Sequence, residues 1–186
     1  METSIFMEKD QLRKTILASL FMALAFILPF TTGGNPALGA IWLPMHIPIL
    51  LCGLVCGPKH GMTVGFMSPI LRTIILGAPP PPMAIAMAVE LAAYGFFMGL
   101  FYKLLPKKHV YVFVALILSL IVGRLAFIAI NFQMLSLFPE SPAFNSALVP
   151  LISTLTLTAW PGIAIQLALV PSIFIILKHR KLLPDQ

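Results

Sequence analysis

The chain has 186 residues, of which 59% are hydrophobic and only 10% are charged. A soluble globular domain carries about 25% charged residues, so this composition excludes an ordinary soluble domain and favours a membrane protein. The formal net charge is +6. The basic residues are placed as expected for residues that orient a membrane protein, so the positive charge does not indicate nucleic-acid binding.

Apolar runs separated by turn-forming residues predict six transmembrane helices, because a bilayer core takes about 20 helical residues. We therefore expect an all-α fold, with one six-helix domain over residues 1–186. A cytoplasmic segment, residues 1–11, precedes the first run, residues 12–30, which lacks a small-residue cleavage signal and is expected to be retained. The later runs are residues 37–56, 62–76, 83–105, 110–132 and a last run that ends at Leu177 before a short tail, residues 178–186.

Prolines and glycines interrupt several of these runs. Pro44 and Pro48 make the second run the least regular, and residues 57–61 are predicted to form a tight turn. Three further prolines, Pro150, Pro161 and Pro171, divide the last run, whose outer part is expected to form a separate short helix.

The basic residues predict the orientation in the membrane. With six spans, ten of the twelve lysines and arginines fall on one side, near the two termini and in or beside the connections that contain Lys59 and Lys107. The positive-inside rule makes that side cytoplasmic and places both termini there. The expected location is a bacterial cytoplasmic membrane, with lipid as a constant partner.

The three connections on the opposite side contain no lysine or arginine. They include residues 31–35, the four prolines at 79–82 and residues 138–142. Proline fixes the backbone, so these connections form either stiff walls over a site or simple helix ends.

Three strongly charged residues lie well inside the predicted spans, away from their cytoplasmic ends: Arg72, Glu90 and Arg124. A charge in the hydrocarbon core is costly unless it is paired or hydrated, so each marks a possible functional site. At 1.5 Å of rise per residue they lie about 7, 10 and 12 Å below the outer ends of their helices. One interpretation is a shared pocket of net charge about +1 in which an arginine grips a carboxylate bidentately. The other is a structural ion pair plus an arginine that extends outward.

Neutral residues near this level complete the predicted binding site. His46 is interpreted as an interfacial histidine rather than a ligand. The predicted substrate-binding residues are Arg72, Glu90, Arg124, Asn131, Asn35, Trp42, Trp160 and Gln166.

Catalytic and metal-binding motifs are not found. Cys52 and Cys56 lie four apart in an apolar stretch, with no second pair, so neither zinc nor redox chemistry is indicated. We expect no metal, no bound cofactor and no enzymatic activity.

Small residues spaced four apart indicate close helix packing. Gly95 and Gly99 form such a pair in the fourth run, and Ser19 and Ala23 form another in the first run.

A motif over residues 43–102 resembles a known family. It contains Pro44-x-His46-Ile47-Pro48, then Gly53, Gly57-Pro58, Gly61, Gly65 and Ser68-Pro69, then Glu90-Leu91-x-x-Tyr94-Gly95-x-x-x-Gly99. This pattern resembles the substrate-binding S components of energy-coupling factor (ECF) vitamin transporters, in the pantothenate-type branch.

The resemblance implies a vitamin-binding subunit that works with a transmembrane coupling protein and two ATPase subunits, which use the ATP. In that family an alanine pair in the first helix docks on the coupling protein. The corresponding residues here are Ser19 and Ala23, which departs from the family pattern at one position. The alternatives are an S component for another vitamin, a six-helix membrane enzyme that uses Glu90, or a solitary proton-coupled carrier.

Overall fold

A computed structural model describes residues 2–33, 35–137 and 159–180, and these residues contain helices and no strands. A 3₁₀ segment, Leu28–Thr32, follows the first helix. The helices are α1 Glu2–Ile27, α2 Pro36–Trp42, α3 His46–Cys56, α4 Pro58–Leu76, α5 Pro81–Leu104, α6 His109–Leu137 and α7 Trp160–His179.

Five helical stretches in the described ranges are long and apolar enough to cross a membrane: Lys9–Thr32, Ala37–Cys56, Pro81–Leu104, His109–Met134 and Trp160–His179. The third predicted run lies in α4, which has 19 residues but is not one of these five. Helix α4 carries Lys59 and Arg72, which lower its apolar character. The all-α prediction is therefore confirmed for the described residues, whereas the sixth span stays a prediction.

Several predicted boundaries were wrong because proline was interpreted as a helix stop. The predicted tight turn at residues 57–61 is mostly helical: only Gly57, at φ 93°, lies outside a helix, and Pro58 begins α4. Pro81 begins α5 and Pro161 occupies the first turn of α7. Proline is accepted in the first turn of a helix because its missing N–H would have no intrahelical partner there.

The second apolar run, residues 37–56, forms two helices, and the break between them lies at Pro44 as predicted. Helix α2 ends at Trp42, Leu43 adopts a left-handed backbone conformation at φ 48°, and α3 begins at His46. Pro48 lies in the first turn of α3 and does not interrupt it. The proline-containing connection at 138–142 and Pro150 lie outside the described residues.

Helix α3 occupies the centre of the described part of the domain. It packs against α1, α4, α5 and α7, and every residue of α3 except Ile47 is buried. An apolar helix that is buried on all sides gains its stability from packing rather than from exposure to lipid. The residues at its start are therefore held rigidly.

Glycines bring α3, α4 and α5 into backbone contact. A Cβ atom at Gly95 of α5 would collide with the backbone of Gly61, and one at Gly53 would collide with the backbone of Gly95. Gly65 faces the backbone of Leu91 in the same way. Small residues at such crossings let helix backbones approach closely within a membrane, so the predicted close packing of Gly95 is assigned to α3 and α4.

At the end of the domain predicted to be cytoplasmic, the loop between α5 and α6 contacts α5, which in turn packs against α7. The Nζ atom of Lys107 lies 4.1 Å from the centroid of the Tyr102 ring, and that ring packs edge-on against Phe174 of α7. Partial burial, together with the charges of Lys178 and Lys103, lowers the pKa of Lys107.

Candidate functional site

The central feature of the site is a buried ion pair between α5 and α6. Arg124 Nη1 lies 3.0 Å from Glu90 Oε1, and the Glu90 side chain is 4% exposed. The Tyr94 hydroxyl, one helical turn further along α5, donates a hydrogen bond of 2.9 Å to the same oxygen. One carboxylate oxygen thus accepts from both helices, which fixes the orientation of Glu90.

His46 joins this group from the start of α3. Its Nε2 atom lies 4.0 Å from Glu90 Oε1, and its ring is 5.2 Å from the ring of Tyr94. We call the four residues His46, Glu90, Tyr94 and Arg124 the charged cluster. It connects α3, α5 and α6 in the interior of the described structure.

Several buried polar atoms, in the charged cluster and in α7, have no hydrogen-bond partner among the residues that the structure describes. They are both ring nitrogens of His46, the second guanidinium nitrogen of Arg124, and both side-chain polar atoms of Gln166 in α7. Buried polar groups in proteins are nearly always paired, and leaving one unpaired costs about 1–3 kcal/mol. The arrangement therefore offers donors and acceptors to a polar solute or to water.

A cavity of about 320 Å³ lies at the end of the domain predicted to face outward. Its lining includes Pro44 and Ile47, which flank His46, and Ile165, which precedes Gln166. The full lining is Leu28, Thr31, Thr32, Leu38, Trp42, Pro44, Ile47 and Ile165. Small-molecule sites occupy about 300–1,000 Å³ and are mostly apolar with a few polar groups, so the cavity is of the right order for a small solute.

Arg72 is placed apart from the ion pair. Its Nη1 atom donates a hydrogen bond of 3.0 Å to the carbonyl of Phe26 near the end of α1, and its guanidinium lies 5.2 Å from the centroid of the Phe30 ring. A cation at a helix C-terminus satisfies a terminal carbonyl and interacts favourably with the helix dipole. The structure therefore brings Arg124 to Glu90, and it gives Arg72 contacts with α1.

The remaining predicted substrate-binding residues divide into two groups. Trp42 lines the cavity and Gln166 is fully buried. By contrast, Asn35 caps α2 by accepting from the backbone N–H of Ala37, Asn131 donates to the carbonyl of Phe127 within α6, and Trp160 is 66% exposed at the start of α7. The side-chain bonds of Asn35 and Asn131 are local, so their contribution to a shared site stays a prediction.

Sequence reasoning missed two members of the charged cluster. Tyr94 was noted only as part of a motif, although its spacing of four from Glu90 places both on one face of a helix. His46 was interpreted as interfacial, whereas it is 3% exposed. The break at Pro44 was the available signal, since it begins a helix at His46 and turns that residue into the interior.

The predicted docking residues lie near the middle of the first candidate span, Lys9–Thr32. Ser19 and Ala23 are both exposed on α1. A hollow of about 570 Å³ runs along the same helix and includes Ile16, Leu20 and Leu177. Residues 16, 19, 20 and 23 share one face of the helix by their spacing, so this surface is available to a partner helix or to lipid.

No group of three or more metal-ligating side chains occurs among the residues that the structure describes. Cys52 and Cys56 are both buried in the core as thiols. Both findings concern only residues within the described ranges.

Comparison with known protein families gives one result. A family described as "ECF transporter, substrate-specific component" matches residues 13–174 of the chain. No curated protein and no solved structure shows significant similarity to this chain. The match covers most of the sequence and contains the charged cluster, the cavity and the exposed face of α1.

Proposed function

This chain belongs to the family of substrate-specific components of ECF transporters, and we propose that it captures a water-soluble vitamin, specifically pantothenate, for ATP-driven uptake. The family and the long apolar helices make it a membrane protein that serves transport. To this we add a specific solute, an orientation in the membrane and a set of partner subunits.

The observation that carries the proposal is the set of unpartnered polar atoms beside the ion pair. Arg124 uses Nη1 for Glu90, and its Nη2 has no partner in the described part of the chain, while His46 and Gln166 add further donors and acceptors. An interior that only needed stability would be expected to pair or omit these groups. A polar solute that enters from the cavity would complete their hydrogen bonds.

Pantothenate has the chemistry to do so, because it carries one carboxylate, two hydroxyl groups and an amide. We propose that its carboxylate accepts a hydrogen bond from Arg124 Nη2, since Glu90 already occupies Nη1 and excludes a bidentate grip by the two terminal nitrogens. Gln166 offers both a donor and an acceptor, which matches an amide or a hydroxyl group. Glu90 balances the charge of Arg124, so recognition of an anion depends on the directed donor rather than on net charge.

For the topology, we propose that α4 crosses the membrane as a sixth span and that both termini are cytoplasmic. Helix α4 has 19 residues and packs against α3 and α5, which supports a buried span that tolerates Arg72 through its bond to Phe26. The basic residues near Lys59, Lys107 and Lys178 support the orientation.

For the partners, we propose that the exposed face of α1 around Ser19 and Ala23 docks on the transmembrane coupling protein of a module with two ATPase subunits. A close helix contact needs small residues in an apolar surface. Both conditions are met beside the hollow that contains Ile16 and Leu20.

The solute is tested by mass spectrometry of small molecules released when the detergent-purified protein is denatured. We expect pantothenate from the wild-type protein and none from an Arg124→Ala variant purified in parallel. Release of a different water-soluble vitamin would contradict pantothenate but retain vitamin capture. Release of no polar solute, from protein purified out of cells supplied with vitamins, would contradict both.

A further inference from the structure

Gly123 lies immediately before Arg124 on α6 and faces the ring of Tyr94 on α5. A Cβ atom at position 123 would overlap the Cδ1 and Cε1 atoms of that ring. Tyr94 is 1% exposed, so a displaced ring would have to move within the protein interior rather than into solvent. The missing side chain at Gly123 is therefore what gives the Tyr94 ring its place between the two helices.

Gly123 differs from the other closely packed glycines of the described structure. At Gly53, Gly61, Gly65 and Gly95, an added Cβ would meet the backbone of a neighbouring helix, whereas at Gly123 it would meet a side chain, that of Tyr94. The backbone glycines set the distance between helices. Gly123 instead sets the position of one aromatic ring.

That ring determines the geometry of the charged cluster. Its hydroxyl donates to Glu90 Oε1 at 2.9 Å, the oxygen that also pairs with Arg124 Nη1 at 3.0 Å. Its centroid lies 5.2 Å from the centroid of the His46 ring. A displaced ring would withdraw the hydroxyl from Glu90, and the carboxylate would turn toward its remaining donor, the guanidinium of Arg124.

We propose that Gly123 is a positioning residue for solute recognition, which acts through Tyr94 to keep Arg124 Nη2 available for an anionic group. This inference rests on the proposed function. A Glu90 carboxylate that has lost the Tyr94 hydroxyl satisfies its second oxygen with Nη2, which removes the donor that the solute carboxylate needs. Specificity for a carboxylate therefore depends on a residue that has no side chain of its own to offer to the solute or to Glu90.

The test measures equilibrium binding of pantothenate and of pantothenol, in which a hydroxymethyl group replaces the carboxylate, to detergent-purified protein. Gly123→Ala should weaken pantothenate binding by about tenfold or more, the equivalent of one hydrogen bond to a charged group, and should leave pantothenol binding nearly unchanged. Tyr94→Phe removes the hydroxyl and keeps the ring, and it should cause a similar loss. Gly65→Ala, which faces the backbone of Leu91, is the packing control and should affect the two solutes equally.

The double variant Gly123→Ala/Tyr94→Ala separates positioning from general packing. Because alanine lacks the Cγ, Cδ1 and Cε1 atoms that an added Cβ at position 123 would meet, adding Gly123→Ala to Tyr94→Ala should cost no further affinity or thermal stability. If Gly123→Ala does not fold, the double variant should still fold as well as Tyr94→Ala does, and a double variant less stable than Tyr94→Ala would overturn the assigned contact. Equal pantothenate binding by wild type, Gly123→Ala and Tyr94→Phe would overturn this inference alone. An absence of pantothenate binding by the wild-type protein would overturn the proposed solute and the inference with it.

Discussion

Replacing Arg124 by alanine should destabilise the unliganded protein and also abolish its response to the vitamin. Glu90 is 4% exposed and pairs with Arg124 at 3.0 Å, and breaking a buried ion pair costs about 3–5 kcal/mol because the other charge is left uncompensated. The Tyr94 hydroxyl continues to donate to Glu90. We therefore expect the free energy of unfolding of the unliganded protein to fall by about 3 kcal/mol, the lower limit of that range.

The ligand response is a second and separable quantity. A vitamin at 100 times its dissociation constant stabilises the protein by about 2.7 kcal/mol. Loss of the charged contact at Nη2 should weaken binding by about 2–5 kcal/mol, which removes nearly all of that stabilisation at the same concentration. The assay is thermal unfolding in detergent, with and without pantothenate, of wild type, Arg124→Ala, Glu90→Gln and the double variant.

The double variant distinguishes a structural pair from a binding site. Glu90→Gln/Arg124→Ala should recover much of the unliganded stability, because no buried charge is left unpaired. It should not recover the vitamin-induced shift if Arg124 binds the carboxylate. A full vitamin-induced shift in Arg124→Ala would refute the assignment of this residue to the site.

Four further results are expected. Arg72→Ala should lower unliganded stability by about 1–3 kcal/mol, since it removes the bond to a carbonyl of α1, and the vitamin-induced shift should persist; loss of that shift with unchanged stability would place Arg72 in the site. Gly95→Leu should prevent recovery of folded, monodisperse protein, and normal recovery would contradict the glycine crossing. Ala23→Trp should abolish uptake and leave vitamin binding intact, whereas equal loss of both would assign that face to internal packing. A cysteine at position 35 should react with an impermeant label on intact cells and one at position 107 only after permeabilisation; the reverse pattern would invert the topology.

Much of the helical arrangement follows from sequence because the hydrocarbon core dictates the length and polarity of a span. The errors lie at helix starts such as Pro58 and Pro81, where proline was interpreted as an interruption. Proline fixes φ near the helical value and lacks an N–H. Proline is therefore found both where a helix ends and in the first turn of the next helix. Residue identity alone does not separate these two roles.

The depth of the charged side chains along their helices could be predicted from the sequence, but the direction in which each side chain points could not. Counting residues along each helix places Arg72, Glu90 and Arg124 at similar levels, and the structure does pair Glu90 with Arg124. Such counting does not fix the rotation of each helix about its axis, which depends on glycine crossings and on neighbouring helices. Rotation decides that Arg72 contacts α1, and it decides that Tyr94 and His46 complete the charged cluster.

The glycine contacts explain why this rotation is set so closely. Gly61 and Gly95 bring two backbones together without side chains between them, and such a crossing permits few relative orientations. Glu90 lies just over one turn from Gly95 on α5, so the crossing fixes where its carboxylate points. The sequence contains these glycines, but their partners become known only from the assembled helices.

The most direct test of the central claim is uptake of radiolabelled pantothenate by cells that lack their own pantothenate transport. We expect accumulation of unmodified vitamin only when this chain is expressed together with an ECF coupling protein and its two ATPases, and we expect it to cease when the ATPases are inactivated. Accumulation by this chain alone, driven by a proton gradient, would contradict a substrate-binding component and indicate a solitary carrier. Conversion of the vitamin to another compound by the purified chain would instead indicate an enzyme.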